Sequence, residues 1–156
     1  MKKTAFVTGG ASGIGAATCR ILSKIGYRVY VADIQRESGQ ILAQELDDAV
    51  FLEVNVRNES DFERGLAQVM PESNQLDVMG NNAAIVGTLG PISSLTVEQY
   101  DLSQEIIQRS VVLGTKHAAK IMQVQKMGSI VNVASIAGLL GGYSPHTYAA
   151  CKAAVI

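Results

Sequence analysis

Short apolar runs alternate along this chain with longer stretches that are apolar on one face only. "TAFVT" (4–8) is an apolar run stopped by glycines, and a helical stretch follows from Gly13 to about Ile25. "YRVYVAD" (27–33) is strand-like, "RESGQILAQEL" (36–46) helical and "AVFLEV" (49–54) again a strand. The next helix runs from about Asn58 to Met70, where "PESNQ" (71–75) is expected to break it. "LDVMG" (76–80) and "SIVNVA" (129–134) supply two further strands. Between them lies one long helix, opened by a capping box of Thr96 with Gln99 and a staple of Leu95 with Tyr100. Strands separated by such helices predict βαβ units, a parallel sheet and right-handed crossovers. The expected fold is a doubly wound, Rossmann-like α/β sheet of five parallel strands, one domain over 1–156.

Composition narrows the partners. At 47% hydrophobic and 17% charged, the chain is core-rich rather than disordered. The 13 basic and 14 acidic residues leave a net charge of −1 without a basic cluster, so nucleic acid and anionic membranes lack an electrostatic footprint. Met1-Lys2-Lys3 is charged like the start of a signal peptide, but the apolar run behind it is too short for a signal core. No segment approaches the ~20 continuous apolar residues of a membrane span. Cys19 and Cys151 belong to no paired motif, which suits a reducing cytoplasm, the expected location.

The candidate chemistry begins at "TGGASGIG" (8–15), which joins the first strand to the first helix. In a parallel sheet that turn lies at the carboxyl edge, beside the switch point where ligands bind. Glycines let backbone N–H groups approach a pyrophosphate, and the helix start adds partial positive charge. The G-x-G-x-x-G spacing fails, because Thr18 stands where the third glycine belongs. A tight turn alone would also use glycines; the position between strand and helix favours nucleotide binding. Asp33, closing the second strand, can accept from an adenosine ribose and repel a 2′-phosphate, which favours NAD over NADP. It would equally serve as an acidic helix cap, and Arg36 is the one feature that favours NADP. Tyr148 and Lys152, in "YAACK" (148–152), fall one above the other on a helix face. On spacing alone they also describe an ordinary surface pair.

Together these residues resemble the short-chain dehydrogenase/reductase family. The likeness covers the whole chain through "TGGASGIG" (8–15), "NNAA" (81–84), Ser135 at the end of the fifth strand and "YAACK" (148–152). It implies hydride transfer between NAD(H) and an alcohol or ketone. By that resemblance Tyr148 is the acid/base and Ser135 orients the substrate oxygen. Lys152 favours the phenolate and holds the nicotinamide ribose together with Tyr148. A free phenol has a pKa of about 10, so a base working near neutrality needs such a cation beside it. The resemblance further places Gly9, Gly13, Ile14 and Gly15 at the cofactor phosphates and Asn55 and Val56 at the adenine. Asn82 steadies the sheet beside them. No metal is implied, and His117 has no second ligand type spaced for one. Dimers or tetramers through the long helix and the Tyr148 helix are also implied, an assembly that a short Tyr148 helix would leave incomplete.

Three positions depart from the family pattern. Ala84 replaces a glycine, at a cost of about 1 kcal/mol if its φ is positive. Ile107 falls where the family has an asparagine whose water links the lysine to solvent; Gln104 and Ser110 lie three residues to either side on the expected face. The helix opened by Tyr148 reaches Ile156 without a capping glycine, lysine or proline, so a chain cut just after that motif is expected. Tyr143 and His146 either line a substrate mouth or face solvent, and Cys151 is either a reactive thiol or a small buried residue. "IAGLLGGYSPHT" (136–147) carries no charge, which favours a small or medium, mainly apolar secondary alcohol. Two alternatives stay open: an NADP-dependent 3-oxoacyl carrier-protein reductase, and a nucleotide-binding module without catalysis.

Overall fold

The computed structural model describes residues 2–142 and 144–156, the side chain of Glu72 excepted. The Tyr143 expectation falls outside these residues. Five strands form one parallel sheet: β1 (Thr4–Thr8), β2 (Arg28–Asp33), β3 (Ala49–Glu53), β4 (Val78–Asn81) and β5 (Ser129–Asn132). Their order is β3-β2-β1-β4-β5. The chain moves outward from β1 to β3 and then returns to the other side of β1, which opens a crevice between β1 and β4 at their carboxyl ends.

The helices are α1 (Gly13–Lys24), α2 (Arg36–Glu45), α3 (Glu59–Ser73), α4 (Val97–Ser103), α5 (Ser110–Gln125) and α6 (His146–Val155). Because strand side chains alternate between faces, the central strands feed two cores. Phe6, Tyr30, Val54 and Met79 pack with Phe62 and Leu66 of α3 and Ala118 of α5. Val7, Val29 and Val31 pack with Ala16 and Cys19 of α1 and Leu42 of α2. Strands buried on both faces read as unbroken apolar runs, and that is why β1 and β2 stood out in the sequence. No helix among the described residues is long and apolar enough to cross a membrane.

Several expected boundaries move; β5 ends at Asn132 rather than Ala134, so Ser135 stands beyond the strand. Pro71 does not end α3, which continues to Ser73 and closes on Asn74 at φ 55°. The proline is exposed and in the last turn, so its missing donor costs one terminal bond whose freed carbonyl can meet water. The fourth strand's ladder begins at Val78 rather than Leu76. There the Asp77 carboxylate accepts from the Thr4 N–H at 2.7 Å, and the Asp77 N–H donates to the Thr4 carbonyl at 2.9 Å. The long helix is present but not uniform. Its Thr96–Gln99 capping box is fully formed, yet residues Gln104–Arg109 wind as a π-helical segment between α4 and α5.

Candidate active site

The glycine turn is folded by hydrogen bonds from three strand ends. Thr8, the last residue of β1, accepts at its hydroxyl from the N–H groups of Asn82 (3.0 Å) and Ala83 (3.2 Å) and donates to the Gly80 carbonyl (3.2 Å). One donor and two acceptor sites are thereby used in full. The Asn82 amide donates to the carbonyls of Thr8 (3.0 Å) and Gly9 (3.2 Å), tying the loop after β4 to the turn after β1. Gly9 has φ 63°, and a Cβ on Gly15 would lie 2.0 Å from the Gly9 carbonyl oxygen. Both positions therefore exclude side chains. Ser12 makes no side-chain cap to α1, which leaves the N–H groups of the helix's first turn free of a serine cap.

Asp33 is buried, and its carboxylate accepts from the N–H groups of Ala11 (2.9 Å) and Gln35 (3.0 Å). It thus braces the glycine turn from β2 and also closes a turn ahead of α2. Gly9, Gly13, Ile14, Asp33, Asn55, Val56 and Asn82 all line one cleft of about 490 Å³. Gly15 lies just beneath it, packed on Gly9. The Asn55 side-chain oxygen already accepts from Arg57 N–H at 3.1 Å, and its backbone N–H donates to Asp61 at 2.9 Å. A carbonyl oxygen has a second lone pair, so one acceptor site is left. Ala84 lines the same cleft without strain: among the described residues, positive φ outside glycine occurs at Asn74 and Lys126 only.

The second cluster sits on α6. Lys152 is 3% exposed; its ammonium donates to the Val133 carbonyl and lies 5.7 Å from the centroid of the Tyr148 ring. Burial pushes its pKa down, with the neighbouring Cys151 acting the other way. A phenolate at Tyr148 would oppose that shift, since each charge favours the other. Ser135 follows β5, and its hydroxyl oxygen accepts from the Ala137 N–H at 3.2 Å, leaving the hydroxyl proton for another partner. The turn after Ser135 rests directly on α6, where a Cβ on Gly138 would lie 2.7 Å from the backbone of Lys152 and Ala153. The loop after β4 reaches α6 as well: Thr88 N–H donates to the Thr147 hydroxyl at 3.3 Å.

Other expectations resolve on burial. Cys151 is fully buried, and desolvation pushes its thiol up, away from the reactive thiolate. Cys19, beneath the glycine turn, is pushed up to about 12 by burial. His146 is exposed as the first residue of α6. His117 does gain carboxylate neighbours, with ligand atoms of Glu59, Glu63 and His117 within 4.8 Å. The Lys116 ammonium, however, holds the same Glu59 oxygen at 2.6 Å that His117 meets at 2.8 Å, so these side chains clamp α3 to α5. Ile107 is fully buried in the π-helical segment, which packs against α6. Both expected substitutes already make a bond within their own helix. Ser110 donates to the Ile106 carbonyl at 2.6 Å and Gln104 to the Tyr100 hydroxyl at 3.0 Å.

Comparison with known proteins identifies the family. The family model described as short chain dehydrogenase matches residues 3–156. This chain belongs to the short-chain dehydrogenase family. Among curated proteins it is 39% identical to "Short-chain dehydrogenase reductase 4" of Arabidopsis thaliana, over 99% of this chain and 53% of that protein. It is 37% identical to "(+)-borneol dehydrogenase 2" of Salvia officinalis (99% and 56%) and 38% to "Cyclopentanol dehydrogenase" of Comamonas testosteroni (98% and 62%). The chain therefore spans little more than half the length of these relatives. Membership of the short-chain dehydrogenases implies a nicotinamide cofactor, NAD or NADP. The cleft fits a dinucleotide: its turn excludes Cβ atoms at Gly9 and Gly15, and a helix starts behind it. Sequence reasoning missed Thr8 and Thr147, whose hydroxyls join the loop after β4 to β1 and to α6.

Proposed function

We propose that this chain is the cofactor-binding and proton-transferring part of an NAD(H)-dependent oxidoreductase acting on a small or medium, mainly apolar secondary alcohol or its ketone. The observation that carries the reading is the buried Lys152 ammonium against the Tyr148 ring, on the helix that the Ser135 turn packs against. The nicotinamide, when bound, takes or gives the hydride. The chain's own residues do the rest. Backbone N–H groups of the glycine turn and the start of α1 hold the phosphates, Asp33 the adenosine ribose, and Asn55 and Val56 the adenine end. Ser135 donates to the substrate oxygen and fixes its direction. In alcohol oxidation Tyr148, as phenolate, accepts the hydroxyl proton; in ketone reduction it returns that proton to the oxygen. Lys152 favours the phenolate in the first case and holds the ribose in both.

An apolar substrate agrees with the uncharged segment 136–147, where Ile136, Leu139 and Leu140 expose their side chains. Two of the similar proteins are named for cyclic secondary alcohols, borneol and cyclopentanol.

Cofactor preference gives the first test. NADH is expected to bind the full-length protein more tightly than NADPH in fluorescence titrations, because a 2′-phosphate would meet the Asp33 carboxylate. Asp33→Ala should narrow that gap and weaken NADH too, since it removes an acceptor for both Ala11 and Gln35. Equal or tighter NADPH binding by the unaltered protein would remove the case for NAD.

Ile107 supports a second reading, a module that binds the cofactor but turns over slowly for want of a proton relay. Gln104 and Ser110 each turn one donor to a partner within their own helix. On that reading Ile107→Asn in the full-length protein raises turnover where proton transfer limits the rate, at a stability cost of ~1–3 kcal/mol for a buried amide. Gln104→Ala and Ser110→Ala should leave turnover alone. A stable Ile107→Asn variant with unchanged turnover would show that no relay passes this point.

A further inference from the structure

Beside the nucleotide cleft runs a second groove of about 560 Å³, and Ile34 and Asn55 line both. Arg36 and Glu53 line only the second. Arg36 is the first residue of α2 and stands three residues after Asp33. Glu53 is the last residue of β3 and the register partner of Asp33 on the neighbouring strand. The ribose-recognition position therefore has a second carboxylate level with it. Arg36 is bound to that carboxylate: its Nε donates to Glu53 Oε2 at 3.1 Å, and its Nη2 donates to the same oxygen. The other arginine of this groove, Arg64, lies 3.1 Å from Asp61.

We propose that Glu53 is a specificity-determining residue of the cofactor site, holding Arg36 on β3 so that the guanidinium does not receive a 2′-phosphate. The proposal rests on the nucleotide reading of the cleft. Arginine is the side chain best suited to bind phosphate through paired N–H groups. Placed just past the ribose carboxylate and free to move, Arg36 would offset the Asp33 charge and admit NADP. Bound to Glu53, its charge is offset and two of its five N–H donors are engaged, and Asp33 is left to set the preference. Local sequence alone gives Arg36 the opposite meaning, a feature favouring NADP, because Glu53 lies on another strand.

The pair is exposed, with 68% and 52% of the two side chains accessible, so Glu53→Gln should leave the fold intact. Dissociation constants of NADH and NADPH are measured by fluorescence titration for the full-length unaltered protein, Glu53→Gln, Arg36→Gln and the double variant, with thermal melts alongside. Glu53→Gln is expected to tighten NADPH about fivefold, the scale of an exposed ion pair, while NADH changes less than about twofold. The gain should vanish in the double variant, since it needs the arginine. A gain that persists without Arg36 means that Glu53 acts through its own charge, and it overturns the proposal. No gain in Glu53→Gln overturns it as well. Tighter NADPH than NADH binding by the unaltered protein is a separate result, which removes the NAD assignment and this proposal with it.

Discussion

Tyr148→Phe in the full-length protein is expected to lower turnover on the order of a thousandfold while leaving NADH affinity nearly unchanged. The phenylalanine ring keeps the packing against Lys152 and loses only the hydroxyl that exchanges a proton with the substrate oxygen. Most of the cofactor's proposed contacts lie in the cleft between β1 and β4, which α6 does not line. A fall in turnover matched by an equal fall in NADH binding would instead assign Tyr148 to cofactor positioning.

Gly15→Ala has the next largest expected effect, and it acts through geometry alone. The new Cβ would stand 2.0 Å from the Gly9 oxygen and 2.6 Å from the Asn82 amide nitrogen. Backbone on one side and a doubly bonded amide on the other leave no flexible atom to give way. The glycine turn must shift, at a cost of ~1–3 kcal/mol in stability, and the phosphate cradle is lost. NADH binding in a fluorescence titration should weaken by about tenfold or more, the equivalent of some 1.4 kcal/mol. Gly13→Ala serves as the control. A Cβ there meets nothing within 4 Å, so only the φ of 51° opposes it, and the cost is about 1 kcal/mol. If Gly15→Ala binds NADH as well as Gly13→Ala does, the tight packing of the turn does not hold the cofactor.

The five strands and their parallel direction, though not their order, were legible because central strands buried on both faces leave apolar runs, and helices between strands force crossovers. The glycine turn, Asp33 and the Tyr148–Lys152 pair were legible because each is a local spacing at a strand end or on one helix turn. What the sequence hid depends on residues far apart. Thr8 meets Asn82 across 74 positions, Thr88 meets Thr147 across 59, and Arg36 meets Glu53 across 17. No local pattern records such a meeting. The π-helical segment, which packs against α6, was hidden as well: winding by i→i+5 bonds leaves no mark in the residue spacing, and it undoes the face assigned to Gln104, Ile107 and Ser110 from ordinary helical spacing. Pro71 misled in the other direction, since a breaker in a last exposed turn breaks little.

The most direct test of the proposed function is the initial rate at which full-length protein reduces NAD in the presence of apolar secondary alcohols, measured side by side with Tyr148→Phe. Cyclic alcohols are the first choice of substrate. The account predicts formation of reduced nicotinamide by the unaltered protein with NAD, a slower rate with NADP, and near-complete loss in Tyr148→Phe. Folded protein that binds NADH but shows no rate difference between the two forms would contradict it.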